Sequence, residues 1–165
     1  DMQPDLVVRH SNRLPEKDNL QLIYKTLLAE HKSLSVMLLS VDEFSDIVDA
    51  HGRNAGDDIL DKVVSYLAEH MRDQDILGRW SSAEFIILLP HTGPHVAFDI
   101  AQNLRHGIAT LSPLQELPEI VITASIGISY TASPRAMHEV TAHAEDALYQ
   151  AKRDGSNLVR MQLID

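Results

Sequence analysis

No cysteine occurs in the 165 residues. Disulfides, thiolate metal ligands and a thiol nucleophile are excluded, and the redox compartment stays undetermined. Aromatic residues are scarce, at 5% against 44% apolar residues in all, so any core must be aliphatic. No apolar run approaches the ~20 residues a helix needs to cross a bilayer, and no signal-peptide pattern opens the chain. The expectation is a cytoplasmic segment that makes no membrane contact of its own. Positive charge is also short, with 14 Lys and Arg against 24 Asp and Glu and a formal net charge of −10. Sequence-independent grip on nucleic acid needs a basic face that displaces counterions, so that class is excluded. A nucleotide ligand is not, because a few placed cations serve one local site.

What is present is enough chain for one domain with a real core. We expect a single domain over residues 1–165 with a polar, irregular entry segment at 1–15. Because the first residue is Asp1, we expect it to be a piece of a longer multidomain protein. Leu20, Ile23, Leu27 and Leu28 recur at helical spacing and predict a helix to about His31. The run 34–41 is short and apolar, which suits a buried strand. Asp42 is placed to cap a short helix ending near Gly52, and a longer helix follows from about Ala55. Strands around 76–79 and 84–89 read as a hairpin whose turn lacks the usual glycine. A helix over 94–110, a strand over 120–130 broken at Gly127, a helix over 137–153 and a strand over 158–163 complete the order. This is an α/β layer architecture, a mixed central sheet flanked by helices without repeats.

Local patterns then point further. DLVVRHSNR (5–13), LSVDEFS (39–45), Ile47-Val48-Asp49, Gly52 and Ala55-Gly56-Asp57 follow one another at set spacings. After them come Arg72 and Asp75, RWSSAEF (79–85), Leu88-Leu89-Pro90, Thr123 to Gly127, AEDALYQAK (144–152) and Gly155-Ser156-Asn157. In this order, over nearly the whole chain, they resemble the GGDEF family of diguanylate cyclases, with SSAEF where the family signature stands. The resemblance implies the adenylyl-cyclase-palm-like, ferredoxin-like fold, in agreement with the element order. It also implies an activity that joins two GTP molecules, one held by each subunit of a dimer, into cyclic di-GMP. That reaction is attack of a ribose 3′-hydroxyl on an α-phosphate with loss of pyrophosphate, and it needs a divalent metal, usually held by carboxylates.

At the positions matching the family's metal carboxylates this chain has Ser40 and Ala83. A hydroxyl is a poor replacement, and alanine supplies neither ligand nor base. Asp42 and Glu84 stand nearby as partial compensation, although a helix cap and a solvated hairpin carboxylate are their commoner roles. Ser81 and Ser82 replace the two glycines that take positive φ and admit phosphate to the backbone, where αL costs roughly 1–2 kcal/mol for a non-glycine residue. Their hydroxyls can still donate to an anion. Val48 replaces the guanine-reading asparagine, and Ser45 and Ser156 replace a lysine and an arginine of the phosphate site. Asp57 and Lys152 are retained. We therefore expect no catalytic residue, no metal, and Mg²⁺ only if residual cyclase activity persists. The remnant nucleotide cleft comprises Asp57, Lys152, Ser81, Ser82, Glu84 and Asp42, with GTP left open as a ligand.

Arg72 and Asp75 match the R-x-x-D pair that binds cyclic di-GMP in the family. Arginine can fork onto a guanine edge or a phosphate, and a carboxylate can accept the guanine N1 and N2 protons. A surface salt bridge is the alternative. Arg105 is the only arginine placed to assist on the following helix, with Asn103 nearer the family's position. The expected function is a catalytically inactive receptor for cyclic di-GMP in bacterial second-messenger signalling. The alternatives are a nucleotide-independent dimerisation or interaction domain that regulates attached modules, or a residual cyclase. A homodimer or attached signalling domains are the expected protein partners. His91 and His95 lack a third ligand and read as solvated loop residues. Trp80 reads as a packed aromatic sooner than a base-stacking one.

Overall fold

The computed structural model describes residues 14–30 and 33–164, so the 5–13 motif, most of the 1–15 entry segment and the end of the first helix at His31 lie outside it. Ten elements follow in order. They are α1 (Lys17–Glu30), β1 (Leu34–Val41), α2 (Phe44–His51), α3 (Arg53–Glu69), β2 (Ile76–Ser81), β3 (Glu84–Pro90), α4 (Pro94–Ala109), β4 (Ala124–Thr131), α5 (Met137–Arg153) and β5 (Val159–Leu163).

β1 is buried along its whole length, as its unbroken apolar run demands. It takes the centre of a five-stranded sheet in the order β2-β3-β1-β4-β5. Its neighbours β3 and β4 run antiparallel to it, and β5 joins β4 in parallel, so the sheet is mixed. Alternate side chains serve different layers. Met37 and Leu39 join the core with Ile59, Val63 and Leu67 of α3 and Ala97, Ala101 and Leu104 of α4. Val36 and Leu38 join Leu20 and Tyr24 of α1 with Val140, Ala144 and Leu148 of α5. The expected mixed sheet flanked by helices is what the chain forms.

Four local expectations change. α3 starts at Arg53, two residues before Ala55. β4 begins at Ala124 because its partner β1 ends at Val41, the residue opposite Ala124, which leaves residues 120–123 with no strand to pair. β5 begins at Val159. Asp42 does not cap α2: Glu43 precedes that helix at φ 56°, no side chain closes the cap, and the Asp42 carboxylate turns inward.

Candidate functional site

The C-terminal end of β1 and the β2–β3 hairpin enclose a shallow depression of about 310 Å³. The turn Ser82–Ala83 links the strands, with a register shift between Arg79 and Ser81. Neither serine needs positive φ, so the strain expected from losing two glycines is absent. Instead the Arg79 guanidinium holds the turn, Nε donating to the Ser81 carbonyl at 2.8 Å and Nη2 to that of Ser82 at 2.7 Å. Ser81 Oγ donates to Glu84 Oε1 at 2.7 Å, and Lys152 Nζ lies 3.5 Å from Glu84 Oε2. Ser40, Ser45, Ser81, Ser82, Ala83, Glu84 and Lys152 all line this depression. The structure therefore gathers most of the remnant cleft named from sequence.

Asp57 and Asp42 are not among its lining residues. Asp57 is exposed on α3. Beside it, a Cβ on Gly56 would fall 2.7 Å from Val48 Cγ2, so Val48 packs α2 against α3 where a polar reader was replaced. Asp42 is buried and accepts from Thr123 Oγ1 at 2.6 Å, Ser125 Oγ at 2.7 Å and the Asn157 backbone N–H at 3.0 Å. That ties β1 to β4 and to the turn before β5. The turn is strained, with φ of 130°, 63° and 54° at Gly155, Ser156 and Asn157. The backbone cost expected at the hairpin serines thus falls on Ser156, at roughly 1–2 kcal/mol, because asparagine tolerates αL. Arg105 Nη1 donates to Asn157 Oδ1 at 2.8 Å and holds the same turn.

Arg72 and Asp75 lie elsewhere. Asp75 N–H donates to the Arg72 carbonyl, and the carboxylate takes the Arg72 N–H in return, closing a tight turn between α3 and β2. Arg72 Nε and Nη2 grip both carboxylate oxygens at 2.8–3.1 Å, and Nη2 also donates to Thr92 Oγ1 at 2.6 Å. The Asp75 side chain is 2% exposed and that of Arg72 37%. Ser35 at the start of β1 donates to the Thr92 carbonyl. Arg72 is thus anchored at the N-terminal end of β1, whereas Asp42 and Arg105 stand at its other end, seven residues or about 20 Å away. Arg105 is not brought to the Arg72–Asp75 pair, which corrects the grouping made from sequence. Thr92 is not singled out by the sequence, and the structural roles of Arg79, Thr123 and Ser125 are not legible in their motifs. The alternating hydroxyls of Thr123 and Ser125, just before and within β4, were the one signal available.

The remaining features are structural. Trp80 packs on the core, donates from Nε1 to Glu145 Oε2 at 3.1 Å and carries Lys17 Nζ 4.4 Å above its ring. His95 is in α4, not a loop, and faces Asp99 at 3.7 Å.

Against this geometry, the sequence profile described as "Diguanylate cyclase, GGDEF domain" matches residues 5–158. The chain belongs to the GGDEF family. It is related to the diguanylate cyclases of cyclic di-GMP signalling: diguanylate cyclase DgcM of Escherichia coli K12 is 34% identical over 132 residues. That match covers 80% of this chain and 32% of DgcM, so the chain spans about a third of that relative's length. The active GGEEF domain of a diguanylate cyclase from Vibrio cholerae superposes with a TM-score of 0.83 at 25% identity, covering 90% of this chain and 97% of that one. The GGDEF domain of DgcB from Caulobacter crescentus, solved with c-di-GMP, gives 0.84 at 21% identity over 98% and 96% of the two chains, a likeness of fold alone. No helix among the described residues is long and apolar enough to cross a membrane.

Proposed function

We propose that this GGDEF domain is catalytically inactive and acts as a cyclic di-GMP-binding regulatory module. The observation that carries the proposal is the donor set of the cleft. Ser40 and Ala83 present no carboxylate there. Both oxygens of Glu84 are engaged by Ser81 and Lys152, and both oxygens of Asp42 by the Thr123 and Ser125 hydroxyls. Among the described residues no three His, Asp or Glu side chains gather as a metal would need. Hard divalent cations demand free oxygen ligands, and although Glu43 and Asp46 also line the depression, Ser40, Ala83 and the engaged Glu84 do not complete a site with them. Without the metal, the charge brought together at a triphosphate goes unneutralised.

Incubation with GTP and Mg²⁺ or Mn²⁺, followed by chromatography, tests the first half; no cyclic dinucleotide is expected, and its appearance would overturn the proposal. Calorimetry with cyclic di-GMP tests the second half, with binding in the micromolar range expected for the unaltered chain and none for Arg72→Ala. A second reading, interaction without nucleotide as a homodimer or on attached modules, is favoured by the burial of Asp75, which withholds its carboxylate from a ligand. Self-association unchanged by nucleotide, with no calorimetric signal, would select it.

A further inference from the structure

An arginine has five N–H donors, arranged as two edges that each present a parallel pair: Nε with Nη2, and Nη1 with Nη2. Reading the O6 and N7 of a guanine requires one such pair. In Arg72 the first edge is filled by the Asp75 carboxylate, at 3.0 and 3.1 Å from Nε and 2.8 Å from Nη2. The other Nη2 hydrogen goes to Thr92 Oγ1 at 2.6 Å, which interrupts the second edge. Only the two hydrogens of Nη1 remain outside these contacts, and they do not form a parallel pair. Arg72 is half-exposed and charged, yet it cannot read a guanine in this arrangement.

We propose that Thr92 is a built-in competitor for the Arg72 site, an acceptor that a guanine ligand must displace before the arginine can fork onto it. The inference rests on the reading that cyclic di-GMP binds through Arg72. Thr92 is the weaker of the two masks. Asp75 is charged, buried and held as well by the Arg72 backbone N–H, so removing it from Arg72 would leave an unpaired carboxylate inside the protein. Thr92 is neutral, and its own hydroxyl proton goes to the Pro90 carbonyl at 2.9 Å, a bond it keeps when Arg72 leaves. Its position is fixed from β1, since Ser35 Oγ donates to the Thr92 carbonyl at 2.7 Å. The mask is therefore tied to the N-terminal end of β1. In the open state Asp75 keeps its grip on the Nε edge and acts as a positioning residue, while the Nη1–Nη2 edge turns to the ligand.

Calorimetry with cyclic di-GMP on the whole chain tests this. Thr92→Val removes the acceptor with little change of shape and should tighten binding about 3- to 10-fold, the net worth of one ordinary hydrogen bond. Thr92→Ser keeps the acceptor and should bind like the unaltered chain. Affinity in Thr92→Val equal to or below that of the unaltered chain overturns the inference. Loss of binding in Arg72→Ala but not in Thr92→Val shows that the ligand uses the site; binding that persists in Arg72→Ala places the ligand elsewhere and removes the underlying reading instead. Should Thr92→Val fold poorly, Thr92→Ala removes the same acceptor. The unaltered chain gives an independent readout: the Thr92 methyl resonance should shift when ligand is added. A methyl that stays put while Arg72-dependent binding occurs would also overturn it.

Discussion

Replacing Asp42 with alanine takes the acceptor from two hydroxyls and one backbone N–H at once. Ser125 is buried, so its hydroxyl has no water to turn to. The expected loss is about 2–4 kcal/mol, more than one surface hydrogen bond and less than three full ones, because Asn157 N–H also lies 3.0 Å from Ser125 Oγ. Urea unfolding should give a lower midpoint at unchanged slope. Tyr24 offers a second residue-scale test. Its hydroxyl donates to the Arg135 carbonyl at 2.8 Å within a buried site. Burial, with the Glu139 charge second, pushes the phenol up from 10.0 to about 12. The folded state then holds a proton that the unfolded state has already released between pH 10 and 12. Stability from this group is complete below pH 10 and falls as pH rises towards 12. In Tyr24→Phe that alkaline decline should flatten in a pH series of thermal midpoints, at the cost of the Arg135 bond at neutral pH. Neither role was legible in the sequence: Asp42 looked like a cap because an acidic residue before a helix usually is one. Only the Thr123 and Ser125 hydroxyls, 81 and 83 residues away, reveal otherwise.

At the scale of elements, periodicity carried most of the information. The β1 run, the hairpin strands and the three long helices fall where apolar spacing puts them, since each buries a face against the one sheet. The interruption at Gly127 has a physical cause. A Cβ there would overlap the backbone nitrogen of Leu148 and the carbonyl of Ala144, so glycine lets α5 lie directly on β4. Gly127→Ala should force the helix away and cost about 1–3 kcal/mol, the usual range for overpacking. Thermal unfolding would register it, and an unchanged midpoint would mean that α5 moves freely. The hairpin gave the opposite lesson. Two glycines suggested a turn that needs positive φ, yet Ser82 and Ala83 make it without, because the Arg79 guanidinium and a register shift accommodate the chain. Arg79 counted as part of the family signature in sequence; in the structure it is the brace of the turn.

On the scale of the whole molecule, β1 separates two polar centres. The cleft, and beside it Asp42 and Arg105, occupy one end and the Arg72–Asp75–Thr92 cluster the other, with a largely aliphatic core between them. Stability losses from sites this far apart and without shared partners should add. Asp42→Ala combined with Arg72→Ala should therefore sum to within about 0.5 kcal/mol in denaturant unfolding, and a larger coupling would mean that β1 transmits strain end to end. By itself the sequence determined the family, the mixed sheet flanked by helices and the loss of carboxylates at positions 40 and 83, because motif order, apolar period and residue identity are properties of the chain alone. Tertiary structure decided which of the surviving polar residues are free. It turned Asp42 inward, gave Arg105 to Asn157, closed Glu84 onto Lys152 and set Thr92 against Arg72. Those outcomes depend on partners far off in sequence, brought within hydrogen-bond reach only when the sheet assembles, and no local pattern encodes them.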